Sequence, residues 1–225
     1  MKAIHAVVFD MDGVIFDSEK LVVECWVETA QKYGIVGVEK MCKECLGLNR
    51  QASKEKFLVH YGSDFPYDSY KQEMSQLYHR RAKEGALLMK TGVVELLTFL
   101  KEKGIKIALA SSTREQVVTW ELQYAGIIDF FDEIVCGDMV SHSKPDPEIF
   151  LKACQLLEVE PEGAFAIEDS YNGIRAAFAG GLRPIMVPDL AEPTEEMENL
   201  AEVILPSLHE VISYIGKLLY MVESE

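Results

Sequence analysis

Residues 6–19 read Ala6-Val7-Val8-Phe9-Asp10-Met11-Asp12-Gly13-Val14-Ile15-Phe16-Asp17-Ser18-Glu19. An apolar run from Ile4 to Phe9, broken only by His5, ends in two carboxylates one residue apart, and a glycine follows at once. A short apolar run bounded by a turn signal is the pattern of a buried strand. This one delivers Asp10 and Asp12 to its C-terminal edge.

Two carboxylates this close repel each other unless a cation sits between them or a pKa shifts. Hard oxygen ligands point to magnesium. If Asp10 binds the metal through one oxygen, its other oxygen is free to attack an electrophile, and a phosphoryl group is the electrophile that magnesium escorts. Asp12 is then the proton carrier. Gly13 allows a sharp turn beside the ligand, where a β-carbon would obstruct a positive φ or a close approach. A bare Asp-x-Asp is also what an acidic turn after a strand looks like, so the later stretches must decide.

After Asp17 the pattern becomes helical. Leu21, Val22, Cys25, Trp26, Thr29, Ala30 and Tyr33 recur at spacings of three and four up to Gly34, which predicts an amphipathic helix ended by glycine. Further helical stretches follow around 39–45, 51–60 and 67–84, with no convincing strand between them. Residues 18–86 therefore read as a helical insertion, and residues 1–17 with 87–225 as the core. In the core, strand and helix alternate. Helices are expected at 93–103, 114–124, 147–157, 171–179 and 208–219, and strands at 105–110, 134–136, 164–167, 184–187 and 203–205. The expected fold class is α/β, a Rossmann-like parallel sheet with helices on both faces. The acidic stretch 192–202 reads as solvated surface.

The chain has 225 residues, enough for a core that buries roughly 70% of its unfolded surface without disulfide staples. Five cysteines, odd in number and scattered, suit a reducing compartment, and Cys42-x-x-Cys45 without a second ligand pair reads as two half-buried thiols on a helix. The 22 basic residues against 37 acidic ones give a net charge of −15, which repels a nucleic-acid backbone. A phosphate substrate must then be drawn by local positive charge. No apolar run reaches the 18 or more residues needed to span a membrane, and Asp10 interrupts the N-terminal candidate for a signal sequence. A cytoplasmic monomer acting on a small phosphorylated molecule is the expectation.

Ligands of an open parallel sheet bind at the C-terminal ends of its strands, and there the polar residues collect. Asp10 and Asp12 end one strand, Ser111-Ser112-Thr113 another, and Glu168-Asp169 a third, while Lys144 precedes the helix at Pro147. Each has a plain alternative. Ser and Thr cap helices, a lysine before prolines is commonly solvated, and an acidic pair can cap the helix that begins near Asn172 and Gly173.

Asp10-Met11-Asp12-Gly13-Val14 resembles the first motif of the haloacid dehalogenase-like superfamily of phosphotransferases, closest to its phosphoglucomutase-like branch of small phosphatases and mutases. Ser111, Lys144-Pro145-Asp146-Pro147 and Glu168-Asp169 resemble its later motifs, in the same order, so the likeness covers essentially the whole chain. The resemblance implies a helical cap inserted after the first strand. It also implies Ser111, with Ser112 beside it, contacting the phosphoryl group; Lys144 neutralising charge; Glu168 holding Lys144; and magnesium bound by Asp10, Asp12 and Asp169. The mechanism implied is attack by Asp10 to give an aspartyl phosphate, with Asp12 as acid and then base.

For the substrate, Gly47-Leu48-Asn49-Arg50 resembles the cap element whose arginine holds a distal phosphate, and Arg114 falls where that branch often has a basic residue. The mutases carry a histidine where Val22 stands, none of His5, His60, His79, His142 or His209 replaces it locally, and their cap lysine has no clear counterpart, though Lys71 is near. That departure favours hydrolysis of a small phosphate monoester such as a sugar phosphate, with β-phosphoglucomutase as the alternative. A phosphonate-cleaving relative would need a cap lysine such as Lys54 or Lys56. A non-catalytic phosphate binder would not need both Asp10 and Asp12.

Overall fold

The computed structural model describes residues 3–45 and 50–223. Its centre is the strand β1 (Ala6–Phe9), every residue of which is buried. Five further strands complete the sheet: β2 (Lys106–Ser111), β3 (Glu133–Cys136), β4 (Ala164–Glu168), β5 (Arg183–Met186) and β6 (Val203–Ile204). The order is β3-β2-β1-β4-β5-β6 and every pairing is parallel. Val8 stands opposite Ala108 on one side and Ala166 on the other.

A strand buried on both faces is apolar at successive residues, and β1 is so because helices cover the whole sheet. On one face Val7, Phe9, Leu109 and Ile167 pack with Leu96 and Leu100 of α5 (Val93–Glu102) and with Val211 and Ile215 of α10 (Leu208–Glu223). On the other, Val8, Ala108, Ala110 and Ala166 meet Phe150, Ala153 and Leu157 of α7 (Glu148–Leu157) and Ala176 and Ala177 of α8 (Tyr171–Ala179). Alanines on that face leave room for close helix approach.

Between β1 and α5 lie α1 (Ser18–Tyr33), α2 (Val38–Lys43), α3 (Arg50–Tyr61) and α4 (Tyr67–Arg81). They have their own apolar cluster, built on aromatic rings: Trp26 and Phe57 lie 4.6 Å apart by centroid, Phe57 and Tyr67 5.3 Å. Gly34 ends α1 in the left-handed conformation at φ 63°, as the sequence expects. The expected helix at 67–84 stops at Arg81 and passes into a five-residue π turn containing Gly85 at φ 90°. Other boundaries match the sequence reading to within about two residues, apart from α10, which runs on to Glu223.

The acids of the stretch 192–202 are exposed, as expected. The stretch also contains a helix, α9 (Glu195–Leu200), whose Met197 is fully buried against Ile174 and Met186. Thr194 caps it by accepting the Met197 N–H at 3.4 Å. Its charges are paired as well: Glu196 takes both arms of Arg175 at 2.6 and 2.7 Å, and Glu202 those of Arg183 at 2.6 Å each. Met197 and Leu200, three apart in an acidic run, are too short a pattern to have marked a helix in the sequence.

Candidate active site

Asp10 follows the last residue of β1, and its N–H still donates to Ile167 O at 2.9 Å, so the sheet fixes its backbone. The chain then turns tightly: Gly13 N–H donates to Phe16 O, and Ile15 and Phe16 both donate to Met11 O. Gly13 sits at φ +79°, and a β-carbon there would lie 2.2 Å from Oδ2 of Asp169. The residue is glycine for conformation and for space.

Lys144 is buried and its ammonium makes three bonds, to Asp10 Oδ1 at 2.5 Å, Glu168 Oε1 at 2.6 Å and Ala110 O at 2.9 Å. Burial opposes its charge, but Asp10 and Glu168 outweigh that and raise its pKa. The other oxygen of Glu168 accepts the Asp169 and Ser170 N–H groups and the Ser170 hydroxyl. Gly173 makes room for this carboxylate, since a β-carbon there would fall 1.9 Å from it. Ser170, not the acidic pair, caps α8, taking the Gly173 N–H at 3.1 Å.

Ligand oxygens of Asp10, Glu168 and Asp169 lie within 4.8 Å of one another, and all three residues are buried. Burial pushes Asp10 up to about 8 against the pull of Lys144. Burial, reinforced by Glu19, Glu168 and Asp10, pushes Asp169 well above the ordinary carboxylate range. With all three ionised, these buried carboxylates and Lys144, which bonds Asp10 and Glu168, carry a formal charge of −2. A divalent cation with oxygen preference balances that charge, so the residues fit magnesium.

The Asp12 carboxylate is held by hydroxyls: Ser18 donates to Oδ1 at 2.6 Å and Thr113 to Oδ2 at 3.0 Å. Thr113 was expected as a helix cap, yet Arg114, with an extended backbone, occupies the N-cap of α6 (Glu115–Tyr124). Ser111 is fully buried, and its Oγ accepts the Thr113 N–H at 3.1 Å, leaving its proton to donate. Ser112 and Arg114 line the cavity next to Asp10 and Asp12.

That cavity measures about 640 Å³ and lies between the strand ends and α1–α4. Arg50, at the start of α3, lines it and is ion-paired with Asp68 at 3.0 Å; Gly47, Leu48 and Asn49 lie outside the described residues. Lys54 and Lys56 do not line it. Lys54 bonds Asp68 at 2.5 Å and Lys56 the Glu44 carbonyl at 2.9 Å. Lys71 does line it, 4.8 Å above the Trp26 ring, and burial lowers its amine to about 8. His79, expected as an ordinary residue of the helical region, lines it too, as do Val22, Cys42 and Cys45. The two cysteines are free and buried, not half-buried.

A sequence profile of the haloacid dehalogenase-like hydrolases matches residues 7–187. The chain belongs to this family. Among its relatives, the "phosphorylated carbohydrates phosphatase" of Thermotoga maritima is 34% identical over 181 residues, 80% of this chain and 83% of the relative. The β-phosphoglucomutase of Bacillus subtilis is 32% identical over 221 residues, covering 91% and 94%. The crystal structure of CbbY from Rhodobacter sphaeroides in complex with phosphate superposes with a TM-score of 0.78 at 30% identity, covering 92% and 96%. This haloacid dehalogenase-like chain is thus an enzyme of the phosphatase and phosphoglucomutase branch, as its four strand-end motifs imply. Ser18, Glu19, Trp26, Tyr78 and Glu121 are among the cavity residues that sequence reading did not single out; each is an ordinary helix residue until the fold turns it to the cavity.

Proposed function

We propose that this enzyme is a magnesium-dependent phosphatase of small phosphate monoesters, sugar phosphates among them, and that residues 18–86 form a cap over its site. The observation that carries the reading is Lys144 bridging Asp10 and Glu168 at 2.5 and 2.6 Å beside the buried Asp169. Asp10, Asp12 and Asp169 would hold the ion, which when bound would supply Lewis-acid charge to the phosphoryl oxygens. Asp10 attacks phosphorus through its carboxylate, the phosphorus–oxygen bond to the leaving group breaks, and an aspartyl phosphate forms. Asp12, oriented by Ser18 and Thr113, gives its proton to the departing oxygen and then takes one from the water that attacks phosphorus, which breaks the bond to Asp10, frees the carboxylate and releases inorganic phosphate. Lys144 is a fixed positive charge beside the negative charge that spreads in transfer, and Ser111 and the amides near Ser112 add donors.

The alternative is β-phosphoglucomutase, supported by the Bacillus subtilis relative and by Lys71 and His79 in the cavity. Product analysis with magnesium on sugar phosphates, including β-glucose 1-phosphate, separates the two. Release of inorganic phosphate by the wild type and not by Asp10→Asn is expected. Conversion to glucose 6-phosphate without release would make the enzyme a mutase, and equal turnover by Asp10→Asn would remove Asp10 as nucleophile.

A further inference from the structure

Glu121 is a buried acid that the chemistry above leaves unused. It lies in the second turn of α6 and is 1% exposed. Tyr78 of α4 donates its hydroxyl to Oε1 at 3.1 Å, whereas Oε2 is buried with no hydrogen-bond partner among the described residues. The pair joins the sheet side of the molecule to the helical side, and both residues line the cavity that holds Asp10 and Asp12. Native proteins leave few buried polar atoms unmatched, because each forfeits its hydration without compensation. A leucine would fill the same space in α6 without that cost. A second unmatched atom, Trp26 Nε1, belongs to another residue of the same cavity. Two residues of the cavity lining thus each carry a buried polar atom with no hydrogen-bond partner among the described residues.

We infer that Glu121 is a specificity-determining residue, whose Oε2 hydrogen-bonds a hydroxyl on the organic part of the substrate and so selects polyhydroxylated phosphate monoesters over alkyl ones. The inference deepens the reading above, and takes from it only that a phosphate monoester occupies this cavity. A hydroxyl both donates and accepts, so it satisfies Oε2 whether Glu121 is ionised or protonated. An alkyl chain satisfies neither form and leaves the oxygen desolvated, which is how a site built around a hydroxyl rejects the analogue that lacks it.

The test is binding by calorimetry with magnesium in the full chain carrying Asp10→Asn, using glucose 6-phosphate, sorbitol 6-phosphate and n-hexyl phosphate. The expected result is that the better of the two hydroxylated ligands binds at least about ten-fold tighter than hexyl phosphate. Adding Glu121→Leu should erase most of that ratio, and Glu121→Gln, which keeps the shape, should lower it at least about three-fold, with thermal melts showing both folded. An unchanged ratio in both variants, or no preference to begin with, overturns the inference. Phosphate release from the same ligands by the wild type is scored separately. Absent release with the selectivity retained would overturn the phosphatase reading and leave Glu121 in its role.

Discussion

The ammonium of Lys144 and the carboxylate of Asp10 lie 2.5 Å apart although 134 residues separate them in the chain. With Glu168 on its other side, Lys144 is the cation on which two buried acids depend. Lys144→Met leaves both acids buried without it, and loss of one partner from a buried ion pair costs about 3–5 kcal/mol. Urea unfolding is expected to show a destabilisation of that order, along with loss of phosphoryl transfer. Unchanged stability would mean that water reaches the pair.

Asp12 is held from two elements, by Ser18 of α1 and by Thr113 before α6. Ser18→Ala with Thr113→Val should let its carboxylate swing. A misplacement near 1 Å can cost about 100-fold in rate, so kcat is expected to fall by roughly 10- to 100-fold with little change in KM. A rise in KM alone would place these hydroxyls in substrate binding.

Gly13→Ala adds a β-carbon 2.2 Å from Asp169 Oδ2 at a φ of +79°. The left-handed conformation alone costs a residue with a side chain roughly 1–2 kcal/mol, and Asp169 must also move. Lower thermal stability and weaker magnesium binding by calorimetry are expected together. Magnesium affinity equal to wild type would separate Asp169 from the metal.

Met197 is fully buried under the acidic segment, so Met197→Ala should cost about 2–5 kcal/mol. A change under about 0.5 kcal/mol in chemical unfolding would make the stretch 192–202 solvated surface throughout.

Burial, with the charge of Asp12 added, pushes Glu121 from 4.5 up to about 8. The unfolded chain therefore ionises Glu121 near pH 4.5 while the folded chain keeps it protonated. This group's contribution is fully present below pH 4.5 and is lost as the pH rises towards 8, at no more than about 1.4 kcal/mol per pH unit. The Tm of Glu121→Gln relative to wild type is expected to climb from pH 5 to pH 8. A difference that is flat with pH would mean that Glu121 is ionised in the folded state.

The sheet and the strand-end acids were legible because they depend on local pattern. The apolar run into Asp10, the alternation of strands with helices, and the acids at Glu168-Asp169 are each encoded in a few consecutive residues. The partners of Asp12 were not legible, since Ser18 and Thr113 meet it across a turn and across a strand crossover. Nor was the direction of a side chain from a helix of the inserted region. Lys54 read as a candidate substrate-side lysine and His79 as an ordinary residue, yet His79 lines the cavity and Lys54 pairs with Asp68. The same holds for Glu121, an acid in a mixed helix that carries no mark of burial.

By itself the sequence determined a parallel α/β core, a helical insertion after the first strand, and the set of acids and the lysine that gather at the strand ends. Local periodicity and the rule that open parallel sheets bind at their C-terminal edge suffice for the fold and the acids, and the resemblance to the haloacid dehalogenase-like motifs singled out Lys144. Tertiary structure alone decided that Asp12 is held by hydroxyls, that Lys71, His79, Trp26 and Glu121 share one cavity, and that the acidic segment is pinned by Met197. Those outcomes depend on which helix faces pack together, a property of three-dimensional contact between residues far apart in the chain.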